Sequence, residues 1–166
     1  MEKMQILSVL VENTAGVLSQ VSRMFSRKGY NIDSLAVGPT DDPAVSRITI
    51  MIQVDDRMIQ QIANQLNKLL PVISVKILER ENAVCRELIL VKVRVRDRGE
   101  RDEIIQLANI FRVSIVDVAR ESLTICITGD HSKSDALLGL LSDFGILELV
   151  RTGAVALERG SGTING

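Results

Sequence analysis

The sequence predicts an α+β protein made of two tandem β-α-β-β-α-β sandwiches. Three observations predict it. Apolar positions switch between strand and helix spacing in one fixed order. That order occurs twice along the 166 residues. Each half also closes on a matching tetrad, Ile77-Leu78-Glu79-Arg80 in the first and Ala156-Leu157-Glu158-Arg159 in the second. Halves of roughly 80 residues bury too little surface to be firmly stable alone, so they gain by packing together or by oligomerising.

In the first half, Met4 to Val11 is a near-continuous apolar run, expected of a strand covered on at least one face. Val17, Leu18, Val21, Met24 and Phe25 follow at helical spacing, with Gly29 as the stop. Residues 30–38 read as a strand ending at Gly38-Pro39, and Thr40-Asp41-Asp42-Pro43 is rich in turn formers. Ile48, Ile50, Ile52 and Val54 alternate as a strand with one buried face. Ile59, Ile62, Leu66, Leu69 and Leu70 give a second helix, stopped by Pro71. Val72 to Leu78 is the fourth strand.

The second half repeats the order. Ile89, Val91, Val93 and Val95 alternate with Leu90, Lys92, Arg94 and Arg96, giving one apolar face and one that becomes polar. Ile104, Ile105, Ala108 and Phe111 mark a helix. Val113–Val118 and Leu123–Thr128 are strands turning at Arg120-Glu121. Asp130 or Ser132 can cap the next helix, with Asp135 three residues after Ser132 as in a capping box. Ala136, Leu137, Leu140 and Leu141 face inward on it, and Ile146 to Leu157 closes the set as one strand.

Two such units are ferredoxin-like sandwiches, each a four-stranded antiparallel sheet with two helices on one face. The domains are placed at residues 1–80 and 86–159, with a linker near Glu81–Cys85. The tail 160–166, rich in Gly, Ser, Thr and Asn, is expected to be disordered. The second face of each sheet is expected to be open, and an open aliphatic face is a partner site by default.

Composition narrows the function. The chain is 46% hydrophobic but only 2% aromatic, and its net charge is −1. Base stacking wants aromatics on a basic face, so nucleic-acid binding is not expected. Near-zero charge gives no general pull toward anionic membranes. No run reaches the length of a membrane span, and no signal peptide is read. Cys85 and Cys126 lie 41 positions apart and His131 is the one histidine, which argues against a disulfide scaffold or a Cys/His metal site. A cytoplasmic protein is the expectation.

Catalytic inventory is thin. His131 beside Asp130 could act as a general base, but no nucleophile accompanies it, and a polar residue near a helix start is the better reading. Cys126 reads as a small buried hydrophobe in a strand. Arg86, Lys92, Arg94, Arg96, Arg98 and Arg101 are mixed with acidic residues and read as a solvated face. No catalytic or metal-binding residue is assigned.

One loop stands apart. Glu12-Asn13-Thr14-Ala15-Gly16-Val17 joins the first strand to the first helix. Gly16 sits at the helix start, where a missing Cβ lets another group approach the backbone. Free N–H groups and the positive dipole end favour a carboxylate there. Asn13 offers a donor and an acceptor, suited to a zwitterion. A plain N-cap at Asn13 or Thr14 beside an incidental glycine accounts for the same residues equally well. Asn31, after Gly29-Tyr30, is the second candidate, with a turn-forming role as its alternative.

The strand-loop-helix carrying Asn13 and Gly16 resembles an ACT domain, the amino-acid-sensing version of this fold. Wider motifs resemble the small regulatory subunits of acetohydroxyacid (acetolactate) synthase. They are Val11 to Ser19, Phe25 to Leu35, Pro39 to Pro43 and Ser46-Arg47 in the first half. In the second they are Arg86-Glu87-Leu88, Leu90 to Val93, Ile110-Phe111-Arg112, Ile115 to Val118 and Arg151-Thr152-Gly153. The resemblance covers about residues 1–160, in order. One departure is Val113, where the pattern leads one to expect glycine.

The resemblance implies a role. The catalytic subunit is a separate chain carrying thiamine diphosphate, magnesium and FAD, and makes the precursors of valine, leucine and isoleucine. The small subunit raises its activity and confers feedback inhibition by valine. Family members pair their N-terminal domains as a homodimer with a continuous sheet, and valine lies at that interface. By resemblance, Asn13 and Gly16 hold the amino acid's polar atoms, with Val17 also in the effector site, Asn31 of the neighbouring chain completes the site, and Ser19 shapes the pocket. The alternative is a free-standing ACT-type sensor acting on another partner. A small ferredoxin-like enzyme or nucleic-acid binder is the third reading.

Overall fold

A computed structural model describes residues 1–165. The chain is α+β and divides into two compact units. The first spans Met1–Val84 and takes back the residues from Ala154 onward; the second spans Cys85–Gly153.

In the first unit the order is β1 (Lys3–Glu12), α1 (Val17–Lys28), β2 (Ser34–Pro39), β3 (Val45–Val54), α2 (Asp56–Asn67) and β4 (Val72–Leu78). The sheet is antiparallel with strand order β2-β3-β1-β4, so β2 and β4 are its edges. Alternation along β1 and β3 sends Leu7, Val9, Val11, Ile48, Ile50 and Ile52 to one face. There they pack on Val17, Val21 and Phe25 of α1 and Ile59, Ile62 and Leu66 of α2. Burial at helical spacing is what makes these two segments helices in this setting.

In the second unit the order is β5 (Ala83–Arg94), α3 (Arg98–Phe111), β6 (Ser114–Val118), β7 (Ser122–Gly129), α4 (His131–Leu141) and β8 (Ile146–Arg151), with strand order β6-β7-β5-β8. Ile89, Val91, Val93, Ile125 and Ile127 pack on Ile104 of α3 and Leu137 and Leu141 of α4. The opposite face stays apolar and exposed at Leu88, Leu90 and Val150, as expected of an open sheet face.

Several elements differ from their sequence expectation. The strand expected from residue 30 begins at Ser34. Gly29 is left-handed (φ 75°) and the Tyr30 N–H returns to the Phe25 carbonyl, so the residues before Ser34 complete a helix-ending turn. The linker shrinks to a 3-10 turn, Arg80–Asn82, and β5 starts six residues before Ile89. The closing strand expected over 146–157 breaks at Gly153 (φ 84°) into β8 and a separate β9, Val155–Glu158.

β9 also overturns the open-face expectation for the first sheet. By register, Ser34, Arg47 and Lys76 lie on the face opposite the helices, beside Ile6, Ser8 and Leu10. The C-terminal segment crosses that face. The Ala154 N–H donates to Ser34 Oγ at 3.0 Å, and Arg47 donates to the Ala156 carbonyl at 3.4 Å. Lys76 Nζ meets Glu158 Oε2 at 2.8 Å and the Thr163 carbonyl at 2.9 Å. Ile6, Ser8 and Leu10 are buried. The tail expected to be disordered is thus tied down at Thr163, and Gly166 lies outside the described residues.

Candidate functional site

The loop between β1 and α1 is built around two backbone facts. Gly16 occupies the N-cap of α1 in the left-handed region, φ 86° and ψ −8°. No atom lies within 4 Å of where its Cβ would be, so the reason for glycine is the backbone angle and open space, not crowding. The Gly16 carbonyl takes the first intrahelical bond, from the Gln20 N–H at 3.1 Å. The N–H groups of Val17, Leu18 and Ser19 precede that bond and have no intrahelical partner.

No side chain caps α1, and its first turn holds no acidic residue. The contrast with the other helices is direct. Asp55, Asp97 and Asp130 each cap their helix, accepting from the N–H of Met58, Glu100 and Lys133 at 2.7, 2.8 and 2.9 Å. Of the two caps allowed for α4 by the sequence, Asp130 is the one used. The plain N-cap alternative at Asn13 or Thr14 is therefore not what the loop does.

Asn13 faces the other way. Its Nδ2 donates to the Pro43 carbonyl at 2.9 Å, and its backbone N–H donates to the Ala44 carbonyl at 2.8 Å. One donor of the amide is committed, and Oδ1 is an acceptor suited to an ammonium group. The platform for Asn13 is the β2–β3 turn. Asp42 Oδ1 accepts from the Ala44 N–H at 2.9 Å, and Thr40 Oγ1 accepts from the Asp42 N–H at 3.2 Å while donating to the Val45 carbonyl at 2.9 Å. Sequence reading marked Thr40 to Pro43 only as turn formers. Their positioning of Asn13 was missed, because a contact across 30 positions leaves no local signal.

The other expected site residues separate. Val17 is buried in the core, so it can present only backbone to a ligand. Ser19 is exposed on the first turn of α1. Asn31 lies beyond the far end of α1, and a helix of 12 residues is about 18 Å long, so one chain does not join Asn31 to Gly16. Asn31 instead lines an open pocket of about 320 Å³ with Tyr30, Asp33, Gln53 and Met58.

Elsewhere, His131 opens α4 and its Nε2 meets Asp135 at 2.9 Å, one turn on, with both side chains exposed. Neither cysteine is in a disulfide. Among the described residues no helix is long and apolar enough to cross a membrane, and no group of three His, Cys, Asp or Glu residues could hold a metal ion.

Fold and loop together define an ACT-domain protein, with the ACT domain at the N-terminus. The family model for the acetolactate (acetohydroxyacid) synthase small subunit-like ACT domain matches residues 7–74. A second model, for the small subunit of acetolactate synthase, matches residues 86–160. The chain belongs to the family of acetolactate synthase small subunits. It is 50% identical over 154 residues to the acetolactate synthase small subunit of Mycolicibacterium smegmatis, covering 93% of this chain and 90% of that one. The Mycobacterium leprae small subunit is 47% identical, with the same coverage. The crystal structure of the small subunit from Thermotoga maritima superposes with a TM-score of 0.90 at 41% identity, over 96% of this chain and 99% of that one.

Proposed function

We propose that this chain is the regulatory, non-catalytic subunit of an acetolactate synthase, and that the N-terminus of α1 reads valine. The observation that carries the reading is the uncapped start of α1 at a left-handed glycine. Three orphan N–H groups and the positive dipole end suit the carboxylate of an amino acid. Asn13 Oδ1 suits its ammonium. A site of this kind separates valine from isoleucine weakly, since one methylene is worth only about 1–3 kcal/mol.

The rest of the site comes from a second copy of the chain. β2 is an edge strand, and Pro39 at its end is tolerated only at such an edge. Antiparallel pairing of two β2 strands continues the sheet across the homodimer. It also sets the start of one β2, near Asn31, against the end of the other, near Pro43 and Asn13. An effector held between two chains responds to their packing, which is what regulation requires. The thiamine diphosphate, magnesium and FAD belong to the catalytic subunit, and the complex works in the cytoplasm.

Mixing the purified chain with its catalytic subunit tests this. The chain alone forms no acetolactate, the mixture is more active than the catalytic subunit alone, and valine lowers the activity of the mixture only. A well-folded chain that neither stimulates nor confers inhibition refutes the reading. Valine binding by calorimetry without stimulation would point instead to a free-standing sensor with another partner.

A further inference from the structure

We propose that residues 154–163 are a releasable strap over the outer face of the effector-reading sheet, clamped at Lys76, and that effector binding changes how firmly it is seated. The second clause rests on the reading of the site given above.

The strap is held by a backbone bond, the Arg159 N–H donating to the Asn82 carbonyl at 2.9 Å, and by side-chain contacts. Ser34, Arg47 and Lys76, on three different strands, each bond the segment. The Lys76–Glu158 pair is shielded, with side chains 31% and 24% exposed. One lysine thus grips the strap twice, at a side chain and at a backbone carbonyl five residues later in the turn, Glu158 and Thr163 lying on either side of Gly160.

The covered face is poorly matched to its cover. Ser8 Oγ, Arg47 Nε and Ser74 Oγ are buried there without a hydrogen-bond partner. Among the described residues, only Ser134 Oγ shares that condition. Buried polar groups left unpaired favour water, so lifting the strap relieves them. The helix side of the same sheet is aliphatic along its centre, from Leu7 to Val11 and from Ile48 to Ile52, with buried polar residues only at its ends, Gln5 and Ser46. Of the strap's apolar residues only the small Ala156 is fully buried, while Val155 and Leu157 remain exposed. Left-handed glycines stand at both ends, Gly153 (φ 84°) before it and Gly160 (φ 77°) within its turn.

The grip points bracket the effector residues. Ser34 is three positions from Asn31. Arg47 is three positions from Ala44, whose carbonyl holds the Asn13 backbone. A shift of β2 or of the β2–β3 turn therefore reaches the strap directly. Through Gly153 the strap continues covalently from β8 of the second unit.

Amide hydrogen exchange on the full-length chain, with and without saturating valine, tests both clauses. In Glu158→Gln and Lys76→Met, residues 154–163 exchange about tenfold faster or more, as expected for loss of a shielded charge-assisted bond, while β1 and β3 keep their protection. Lys76→Arg restores most of the slow exchange. Valine changes strap exchange in the wild-type chain, and the effect shrinks in both variants. Unchanged strap exchange in both variants overturns the clamp. Strap exchange indifferent to valine, in a chain that binds valine calorimetrically, overturns the coupling. No heat with valine overturns the effector reading and the coupling with it, while the variants still decide the clamp.

Discussion

The side-chain amide of Asn13 donates to the carbonyl of Pro43 at 2.9 Å, tying the loop that opens the first helix to the turn between β2 and β3. A residue assigned to the effector is thus also a brace for the backbone around it.

The first prediction concerns that brace. Asn13→Ala removes both roles, and Asn13→Asp removes only the donor while keeping an acceptor. An exposed hydrogen bond contributes at the low end of about 0.5–1.5 kcal/mol, so both variants fold with nearly unchanged melting temperatures. Valine affinity by calorimetry falls in both, more for Ala. Unaltered affinity in Asn13→Ala would remove Asn13 from the site.

Gly16 allows strain and charge to be separated. A Cβ meets nothing within 4 Å, so Gly16→Ala carries mainly the left-handed backbone penalty of about 1–2 kcal/mol. Gly16→Asp adds a carboxylate facing the bound one. Valine inhibition of the reconstituted enzyme is expected to fall in the order Gly, Ala, Asp, with activation retained. Equal inhibition in the Ala and Asp variants would mean that charge is not what the helix start reads.

Arg112 ends α3 in the left-handed region (φ 56°), the one non-glycine residue to do so among the described residues. Replacing it by glycine removes the strain, so Arg112→Gly raises stability by about 0.5–1 kcal/mol. Val113→Gly lowers it, because Val113 packs against the core of its unit. Denaturant midpoints of the two variants, moving in opposite directions, are the check.

Asp97 caps α3 by accepting the Glu100 N–H at 2.8 Å. Asp97→Ala is expected to destabilise by about 1 kcal/mol, a few degrees in melting temperature, leaving valine affinity unaltered. A matched loss of valine binding would show that the first unit depends on this cap.

Much of the fold was legible. Alternation along Ile48 to Val54 and Ile89 to Val95, and helical spacing from Val17 to Phe25, reflect faces that must leave water, so they appear in one dimension. Gly16 was legible because a glycine between a strand and a helix marks a backbone position that other residues adopt only with strain, here the left-handed N-cap. The left-handed turn after Phe111 was displaced by one residue. Glycine was expected at position 113, but Arg112 takes the angle, which an arginine does without any local sign.

The sequence by itself determined the two repeats, the element order, the core faces and the glycine-marked helix start, because each depends on residues near one another along the chain. Only the tertiary structure decided that Asn13 rests on Pro43, that Asn31 stands a helix length away from Gly16, and that the last strand returns to cover the first sheet through Ser34, Arg47 and Lys76. Those contacts join residues up to 120 positions apart. Hydrogen bonds and ion pairs of that reach depend on where folding brings the backbone, and polar residues that make them look no different, in sequence, from those that face water.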